Sequence, residues 1–447
     1  MIEGWKTAQL KDLIAVVIGG DWGEGPDFDD ADYVDVLCIR GTELRSWAKH
    51  RGASAARRRV KASSLAKREL RQGDVILEVS GGGPEQPVGR VELIDKAALA
   101  HHHGTPRICT NFFRRLQLIE GVDSAYVVHF LKFFYSTGEI RKYQAGSNNL
   151  RNLKYPEYET IDVPLAPLPE QQRIVEKIET LFAELDKGEE ALREVQKLLV
   201  RYRQSVLKAA VTGDLTADWR AGNEQKPWRD TTLGELNSLL TSGSRGWASF
   251  YADDGDTFIR AQNLKYDRLD LNDVAFVSLP DRSEGTRTKV NVGDILITIT
   301  GANVTKTALV ERIEGAAYVS QHVALFRPTS EVHPEFLHRF IVAKAGGRRA
   351  LEEAAYGAGK PGLNLQNIKD VPISLPPIDE QREIVDRLDH LFGAQFAIQA
   401  DIDRQLAQLQ SLRQSILKDA FSGKLVPQDP ADEPATELLE PITEHAG

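Results

Sequence analysis

The feature that most constrains this chain is a long internal repeat. The segment EQQRIVEKIETLF (170–182) returns as EQREIVDRLDHLF (380–392), and RQSVLKAAVTGDL (203–215) returns as RQSILKDAFSGKL (413–425). Both pairs are offset by 210 residues without a gap, and the second pair is identical at 8 of 13 positions. This period is far longer than the 20 to 50 residues of solenoid repeats. Each copy is therefore expected to hold a full domain followed by a connector.

The matched part of each copy has the apolar spacing of a long amphipathic helix. Apolar residues recur at steps of three and four, prolines precede both segments, and Gly213 and Gly423 follow them, as is typical of helix boundaries. We predict a central long helix at 168–215 and a C-terminal long helix at 378–425. A stripe this long needs a partner, so we predict that the two helices pair as an antiparallel coiled coil. The alternative is that each helix packs on its own domain.

The remaining residues diverge between the copies. Residues 1–167 and 216–377 are expected to be two mixed α/β domains with many short strands, and residues 426–447 are expected to form a tail. The predicted fold class is α+β, a tandem duplication of these domains separated by the two long helices. Three shared landmarks support the pairing of the domains: GWKTAQLKDL (4–13) with PWRDTTLGEL (227–236), QGDVILEVSGG (72–82) with VGDILITITGA (292–302), and LRNL (150–153) with LQNI (365–368).

Composition and charge exclude several classes of protein. The chain has 447 residues, two cysteines and no apolar run near the roughly 20 residues that a membrane helix needs. No signal pattern opens the sequence, so we expect a cytoplasmic protein without disulfides. The net charge is −9, yet between Arg40 and Arg71 there are 11 basic and 2 acidic residues, a local charge of +9. Such a run is either a solvated face or a contact for nucleic acid.

Motifs for catalysis are missing from the sequence. It contains no GxxxxGK[ST] phosphate loop, no HExxH and no GxSxG, and GGG at 81–83 lacks the GxGxxG spacing and the strand-to-helix setting of a dinucleotide fingerprint. His101, His102 and His103 are adjacent and lack a second Cys/His cluster, so we predict no metal site. We predict no catalytic residues, and binding is favoured over catalysis. Two alternatives remain: a methyltransferase or nuclease with a degenerate motif, and a coiled-coil scaffold without DNA specificity.

Candidate DNA contacts come from the basic window and from the polar loops of both domains. Arg pairs with guanine, Asn and Gln pair with adenine, and Lys contacts phosphates. The candidates in the first domain are Arg45, Lys49, Arg57, Arg58, Arg59, Lys61, Asn148 and Asn149. The candidates in the second domain are Ser244, Arg245, Trp247, Arg260, Gln262, Asn263, Asn303, Lys306, Gln321, His322, Lys360 and Asn364.

These segments together resemble the specificity subunits of type I restriction-modification systems. The resemblance covers nearly the whole chain and rests on the helix starts PLPEQQRIV and PPIDEQREIV, on both helix ends, and on GDILITITGA and GKPGLNLQNI in the second domain. The first domain departs from the pattern, because AGSNNLRNL (145–153) stands where a GKPGLN-like segment is expected.

The resemblance implies a bacterial or archaeal subunit that binds DNA without catalysing a reaction. It implies two target recognition domains, 1–167 and 216–377, which read the two halves of a bipartite asymmetric DNA sequence. The long helices would set the spacing between the halves and dock two methyltransferase (modification) subunits, which restriction (translocase and nuclease) subunits then join. S-adenosylmethionine, ATP and Mg would belong to these partner subunits, and this chain would hold no cofactor.

Overall fold

The chain forms two compact units in a computed structural model. The first unit comprises Met1–Ala191 and Gln405–Gly447, and the second comprises Leu192–Arg404. The structure describes residues 3–83, 85–101, 104–146, 150–223, 227–243, 246–280, 284–357 and 361–438.

The first unit is a set of small sheets with short helices. Its strands are β1 (Lys6–Gln9), β2 (Ile14–Gly19), β3 (Tyr33–Ile39), β4 (Ala56–Lys61), β5 (Val75–Glu78), β6 (Ser80–Gly82), β7 (Val91–Leu93), β8 (Arg107–Cys109), β9 (Phe113–Leu118), β10 (Gln144–Ala145), β11 (Arg151–Leu153) and β12 (Asp162–Leu165). Its short helices are α1 (Gly41–Leu44), α2 (Trp47–His50), α3 (Ala62–Arg68), α4 (Lys96–Ala100), α5 (Ser124–Ser136) and α6 (Tyr155–Tyr158).

The second unit repeats this plan. Two long helices, α7 (Leu168–Thr212) and α12 (Ile378–Ala420), contribute residues to both units. The strands of the second unit are β13 (Arg229–Thr232), β14 (Asn237–Ser242), β15 (Tyr251–Ala252), β16 (Asp256–Ile259), β17 (Leu264–Lys265), β18 (Arg268–Leu269), β19 (Ala275–Val277), β20 (Ile295–Thr298), β21 (Thr307–Leu309), β22 (Ala317–Val319), β23 (Val323–Pro328) and β24 (Pro372–Leu375). Its short helices are α8 (Ala217–Ala221), α9 (Pro334–Val342), α10 (Gly347–Ala354) and α11 (Leu365–Lys369).

The strand order shows the duplication directly. An antiparallel sheet β2-β9-β5-β7 in the first unit corresponds to β14-β23-β20-β21 in the second. A second sheet contains one parallel pair in each unit, β3 with β8 and β16 with β22. The first and last strands of each domain also pair, β1 with β12 and β13 with β24. The predicted fold class is thereby confirmed as two mixed α/β domains with two long helices.

A Glu-Gln pair near the start of each long helix, Glu170–Gln171 and Glu380–Gln381, bonds the helix to the domain that precedes it. We call this pair the EQ motif. Trp5 Nε1 donates to Glu170 Oε2 (3.0 Å), and the Gln171 side chain bonds Ala166 O and the backbone N–H of Asp123. In the second unit Trp228 Nε1 donates to Glu380 Oε2 (2.9 Å), and Gln381 bonds Pro376 O and the N–H of His333. All four motif side chains are buried, which explains why the motif recurs unchanged.

The long helices pair antiparallel within each unit. In the first unit the beginning of α7 meets the end of α12, with Arg413 over the Phe182 ring at 5.3 Å. In the second unit the end of α7 meets the beginning of α12, with Arg203 over the Phe392 ring at 4.2 Å. These residues are equivalents at an offset of 210. The sequence-based pairing of the helices is therefore confirmed, and the same arginine–aromatic contact supports it twice.

One predicted landmark was wrong. LRNL (150–153) includes strand β11, whereas LQNI (365–368) lies in helix α11. The backbone bonds give the correct equivalence, because Leu153 N donates to Val79 O and Leu363 N donates to Ile299 O, both at 2.8 Å. The LRNL and LQNI segments share letters but occupy different elements, and the true offset at this point is 210 rather than 215.

Candidate nucleic-acid interface

The ends of strands β3, β5 and β8 converge on an open cavity of about 500 Å³ in the first unit. We call its polar and aromatic lining the first strand-end site; the side chains that matter to the argument are Trp22, Arg40, Arg45, Arg90, Asn111 and Phe112. Two backbone bonds bring the strand ends together, from Thr110 N to Ile39 O (3.0 Å) and from Val79 N to Phe112 O (2.8 Å). The site combines three arginines with an amide and two aromatic rings.

Buried carboxylates hold two of these arginines in place. Arg40 bonds Glu43 through Nη2 at 2.7 Å, and Arg90 bonds Glu78 through Nη2 at 2.5 Å; both glutamates are buried. Burial raises the pKa of Glu43, but hydrogen bonds from Arg40 outweigh it and keep that pKa below its ordinary value. Because the glutamates fix the guanidinium groups, both arginines keep a defined orientation at the strand ends.

The second unit builds an equivalent second strand-end site from different side chains. Ser320 N donates to Ile259 O (2.9 Å) and Ile299 N donates to His322 O (2.9 Å), which reproduces the two bonds of the first unit. The resulting equivalences give the second strand-end site as Arg260, Gln262, Lys306, Gln321 and His322. The His322 ring lies 2.5 Å from Thr300 Oγ1 and 3.2 Å from Gln321 Nε2.

Each site depends on a glycine where two backbone segments nearly touch. A Cβ built on Gly20 would lie 2.2 Å from the carbonyl oxygens of Cys109 and Thr110. A Cβ built on Gly243, its equivalent at an offset of 223, would lie 2.0 Å from Val319 O. Neither distance is possible without moving the backbone. These two glycines therefore set how closely the end of β2 or β14 approaches the strand-end site.

The basic window divides into structural and exposed residues. Arg58 donates to Trp22 O and Gly23 O, both at 2.9 Å, and stacks over the Trp22 ring at 4.2 Å. Arg59 donates to Tyr33 O at 2.6 Å and to Phe28 O. These two residues hold the loop between β2 and β3 against β4. The candidates Arg45, Lys49, Arg57 and Lys61 are exposed, and none of them makes an ion pair with a residue that the structure describes.

Several predicted contacts of the second domain are corrected by burial. Trp247 is buried and stacks on Phe258 with ring centroids 5.5 Å apart, so it is a core residue. Asn263 is also buried, and its side chain bonds the backbone at Arg260, Asp270 and Asp273. Since their surfaces and hydrogen-bonding groups are already used, Trp247 and Asn263 are not available to bind DNA.

Other candidates lie at the surface with local partners. Asn364 is exposed and caps α11 by accepting from Asn367 N at 2.8 Å. Asn303 accepts from Lys306 Nζ at 2.8 Å. Arg260, Gln262, Gln321 and His322 are brought together at the strand ends, as described above. The candidates Asn148, Asn149, Ser244, Arg245 and Lys360 lie outside the described residues, as do His102 and His103.

The sequence-based reasoning missed part of the first strand-end site. Arg40, Arg90, Asn111 and Phe112 were not selected, although Arg40 corresponds to Arg260 at the 220-residue offset that relates QGDVILEVSGG (72–82) to VGDILITITGA (292–302). Asn111 and Phe112 align with Gln321 and His322 at the 210-residue offset. Extending the repeat alignment into the domains would have identified these positions, because each one has a selected counterpart in the other copy.

Three further features bear on thiol reactivity, metal binding and membrane insertion. Cys38 and Cys109 are buried thiols, and burial raises the pKa of Cys109 to about 12, which opposes thiolate formation. Among the described residues, no three His, Cys, Asp or Glu side chains are grouped as metal ligands. Within the same residues, every helix is too short or too polar to cross a membrane.

Comparison with known proteins adds family evidence to this geometry. The family described as the type I restriction modification DNA specificity domain matches residues 226–408. The EcoKI specificity subunit of Escherichia coli (strain K12) is 30% identical, over 97% of this chain and 91% of that protein. The StySPI specificity subunit of Salmonella potsdam is 26% identical over the same shares of the two chains.

Solved structures share the fold. A chain from a structure of the type I R-M system, solved to explain complex assembly and conformational transition, has a TM-score of 0.67 and 21% identity. That match covers 94% of this chain and 98% of the other. The HsdS subunit from Thermoanaerobacter tengcongensis has a TM-score of 0.53 at 21% identity, over 95% and 98% of the two chains.

Proposed function

Because this chain belongs to the specificity subunits of type I restriction-modification systems, we propose that it recognises a bipartite, asymmetric DNA sequence. The observation that carries the proposal is the pair of strand-end sites. Equivalent backbone bonds build both sites, yet the first presents Arg40, Asn111 and Phe112 where the second presents Arg260, Gln321 and His322. Two sites with one architecture and different side chains suit two unequal half-sites.

The chemistry of each site fits readout in the major groove. In the first site Arg40, fixed by the buried Glu43, presents a rigid set of donors that suits guanine O6 and N7, and Arg260 is its counterpart in the second site. Asn111 and Gln321 carry the amide that pairs with adenine N6 and N7. The exposed cations Arg45, Lys49, Arg57 and Lys61 would contact phosphates, which position the protein but do not read bases.

The long helices would be the platform on which the other subunits assemble. We propose that they dock two modification subunits, which restriction subunits then join, and that the helices set the distance between the half-sites. Under this proposal S-adenosylmethionine, ATP and Mg act in those partners. The purified chain alone should then show no methyl transfer from labelled S-adenosylmethionine and no Mg-dependent DNA cleavage, and either activity would show that the chain is itself an enzyme.

Methylation-site mapping tests the DNA-reading role. The chain is expressed in a host together with the modification subunit encoded beside it, and modified bases are mapped across the genome. We expect one motif with two unequal halves and a fixed gap. A continuous motif would contradict the bipartite proposal. If an assembled complex with the modification subunit gave no motif, the chain would be a scaffold without DNA specificity.

A reciprocal exchange assigns each half-site to its strand-end site. Asn111→Gln with Phe112→His places the side chains of the second site in the first. We expect this variant to change one half of the methylated motif and leave the other half and the gap unchanged. The matched control, Gln321→Asn with His322→Phe, should change only the other half. Changes in both halves from either variant would show that the two sites do not read separately.

A further inference from the structure

The paired helices expose apolar side chains in the second unit at positions whose equivalents in the first unit are polar or small, apart from Leu412, which is 49% exposed. On α7, Val195, Leu198 and Tyr202 are exposed, with 50% of Leu198 and 44% of Tyr202 accessible to solvent. On α12, Phe396 and Ile398 are exposed, and Phe396 reaches 77%. Exposed apolar side chains that cluster on one element are a mark of an interaction surface.

Three of these residues form a stripe along α7. Val195, Leu198 and Tyr202 follow one another at steps of three and four, so they share a helix face. They flank the pairing seam, which is marked by Gln196 bonding Asp403 (3.0 Å) and by Gln395 bonding Leu199 O (2.9 Å). These contacts place Ile398 of α12 level with Leu198. We call Val195, Leu198, Tyr202 and Ile398 the apolar stripe.

The repeat supplies an internal control for the apolar stripe. At the offset of 210, its positions correspond to Gln405, Gln408, Leu412 and Gly188 of the first unit, and Phe396 corresponds to Asp186. Only Leu412 is apolar and large. The helix pairing itself is the same in both units, since Arg203 and Phe392 repeat as Arg413 and Phe182. The apolar stripe is therefore not needed for helix pairing, because the two units pair their helices in the same way although only the second unit carries the stripe.

The two units also differ in charge along the helix segments that are equivalent in the repeat. Residues 192–212 contain five basic residues and one acidic residue, a net charge of +4. The equivalent residues 402–422 contain three basic and two acidic residues, a net charge of +1. Arg201, which is exposed and lies one helical turn after Leu198, corresponds to the neutral Ser411. A partner that matches this surface carries an apolar face edged by acidic residues.

We infer that the two modification subunits bind this chain with unequal affinity, the tighter one docking an acidic amphipathic helix on the apolar stripe of the second unit. This inference rests on the proposed scaffolding function. The stripe spans about two turns of α7, a length that one docked helix covers. Desolvating apolar side chains supplies affinity that the glutamines of the first unit do not. One bound modification subunit would then be an assembly state in its own right.

Titration of the full chain with its modification subunit tests the inference. Isothermal titration calorimetry, with native mass spectrometry to count subunits, should resolve two binding steps whose Kd values differ by at least about tenfold. The double variant Leu198→Asp with Ile398→Asp should weaken the tighter step by at least about tenfold and leave the weaker step in place. The matched control, Gln408→Asp with Gly188→Asp, should leave the tighter step unchanged. Circular dichroism checks that both variants keep their helices.

The outcomes separate this inference from the function on which it rests. Two equal steps, or a tighter step that Leu198→Asp with Ile398→Asp does not weaken, would overturn the inference and leave the scaffolding intact. Binding of no modification subunit would overturn the scaffolding itself. If Leu198→Asp with Ile398→Asp lost DNA affinity but bound the modification subunit normally, the stripe would be a DNA contact. If the wild-type chain dimerised and this variant did not, the stripe would bind a second copy of the chain. Either result would overturn the inference. A reverse graft, Gln405→Val with Gln408→Leu, should bring the two Kd values closer together.

Discussion

The starts of the two long helices share one motif but have different electrostatic environments. Glu170 and Glu380 accept almost identical bonds from Trp5 and Trp228, at 3.0 and 2.9 Å. Glu380 also accepts from Thr216 Oγ1 (2.7 Å) and pairs with Arg220. Glu170 makes no such ion pair, and its Oε1 has no hydrogen-bond partner among the described residues.

The difference arises from segments that the repeat does not copy. After Gly213 the chain forms α8, which carries Arg220 to Glu380. After Gly423 the chain instead forms a tail, in which Asp432 pairs with Arg173 at 2.7 Å and Ala435 N bonds Gly4 O at 2.9 Å. A duplicated motif therefore kept its geometry, while the charge beside it was set by the connector that follows each helix.

The largest expected effect tests this contrast through stability. Glu380→Ala removes a buried carboxylate and leaves Arg220, Trp228 Nε1 and Thr216 without their partner. We expect it to lower the free energy of unfolding by about 3 kcal/mol. The matched variant Glu170→Ala breaks one hydrogen bond and should cost about 1 kcal/mol. Urea unfolding followed by circular dichroism measures both. Equal losses would mean that Arg220 adds nothing to the anchor.

The sequence predicted the helices better than the strand-end sites, for a physical reason. The helices repeat without a gap, and their spacing and terminal glycines fix both period and ends. In the domains, residue type alone did not tell which side chains point inwards. Trp247 and Asn263 looked like recognition residues, yet one fills a small aromatic core and the other closes a turn. The partners that bury them are distant in sequence or belong to the backbone, which no residue pattern records.

In the basic strand β4, residue type likewise does not tell which arginines are exposed and which hold the structure together. This strand provides the next test. Arg57 is exposed, while its neighbour Arg58 holds Trp22 and Gly23. Arg58→Ala should lower the free energy of unfolding by about 1 to 2 kcal/mol, because it loses two hydrogen bonds and a cation–π contact. Arg57→Ala should leave stability unchanged but weaken DNA binding by the assembled complex, with a salt dependence lower by about 0.9 in slope. An unchanged slope for Arg57→Ala would assign Arg57 to a solvated face.

The smallest expected effect concerns the pH dependence of the Glu170 anchor. Burial raises the pKa of Glu170 above its ordinary value, and Asp432 adds to the shift, while Trp5 and Arg173 oppose it. A carboxyl whose folded pKa is raised stabilises the fold fully below its unfolded pKa of about 4.3, and this contribution is lost as the pH rises through the folded pKa.

The substitution Glu170→Gln isolates this contribution. Glutamine keeps an oxygen that accepts from Trp5 Nε1 but never becomes charged. Relative to the wild type, Glu170→Gln should therefore gain stability between about pH 4 and pH 7, by less than about 1 kcal/mol. The control, Glu380→Gln, leaves Arg220 without a carboxylate and should destabilise the chain at pH 7. Urea unfolding at the two pH values measures these differences. If Glu170→Gln were as destabilising as Glu380→Gln at pH 7, the first anchor would depend on a charge as the second does, and the contrast between the two helix starts would not hold.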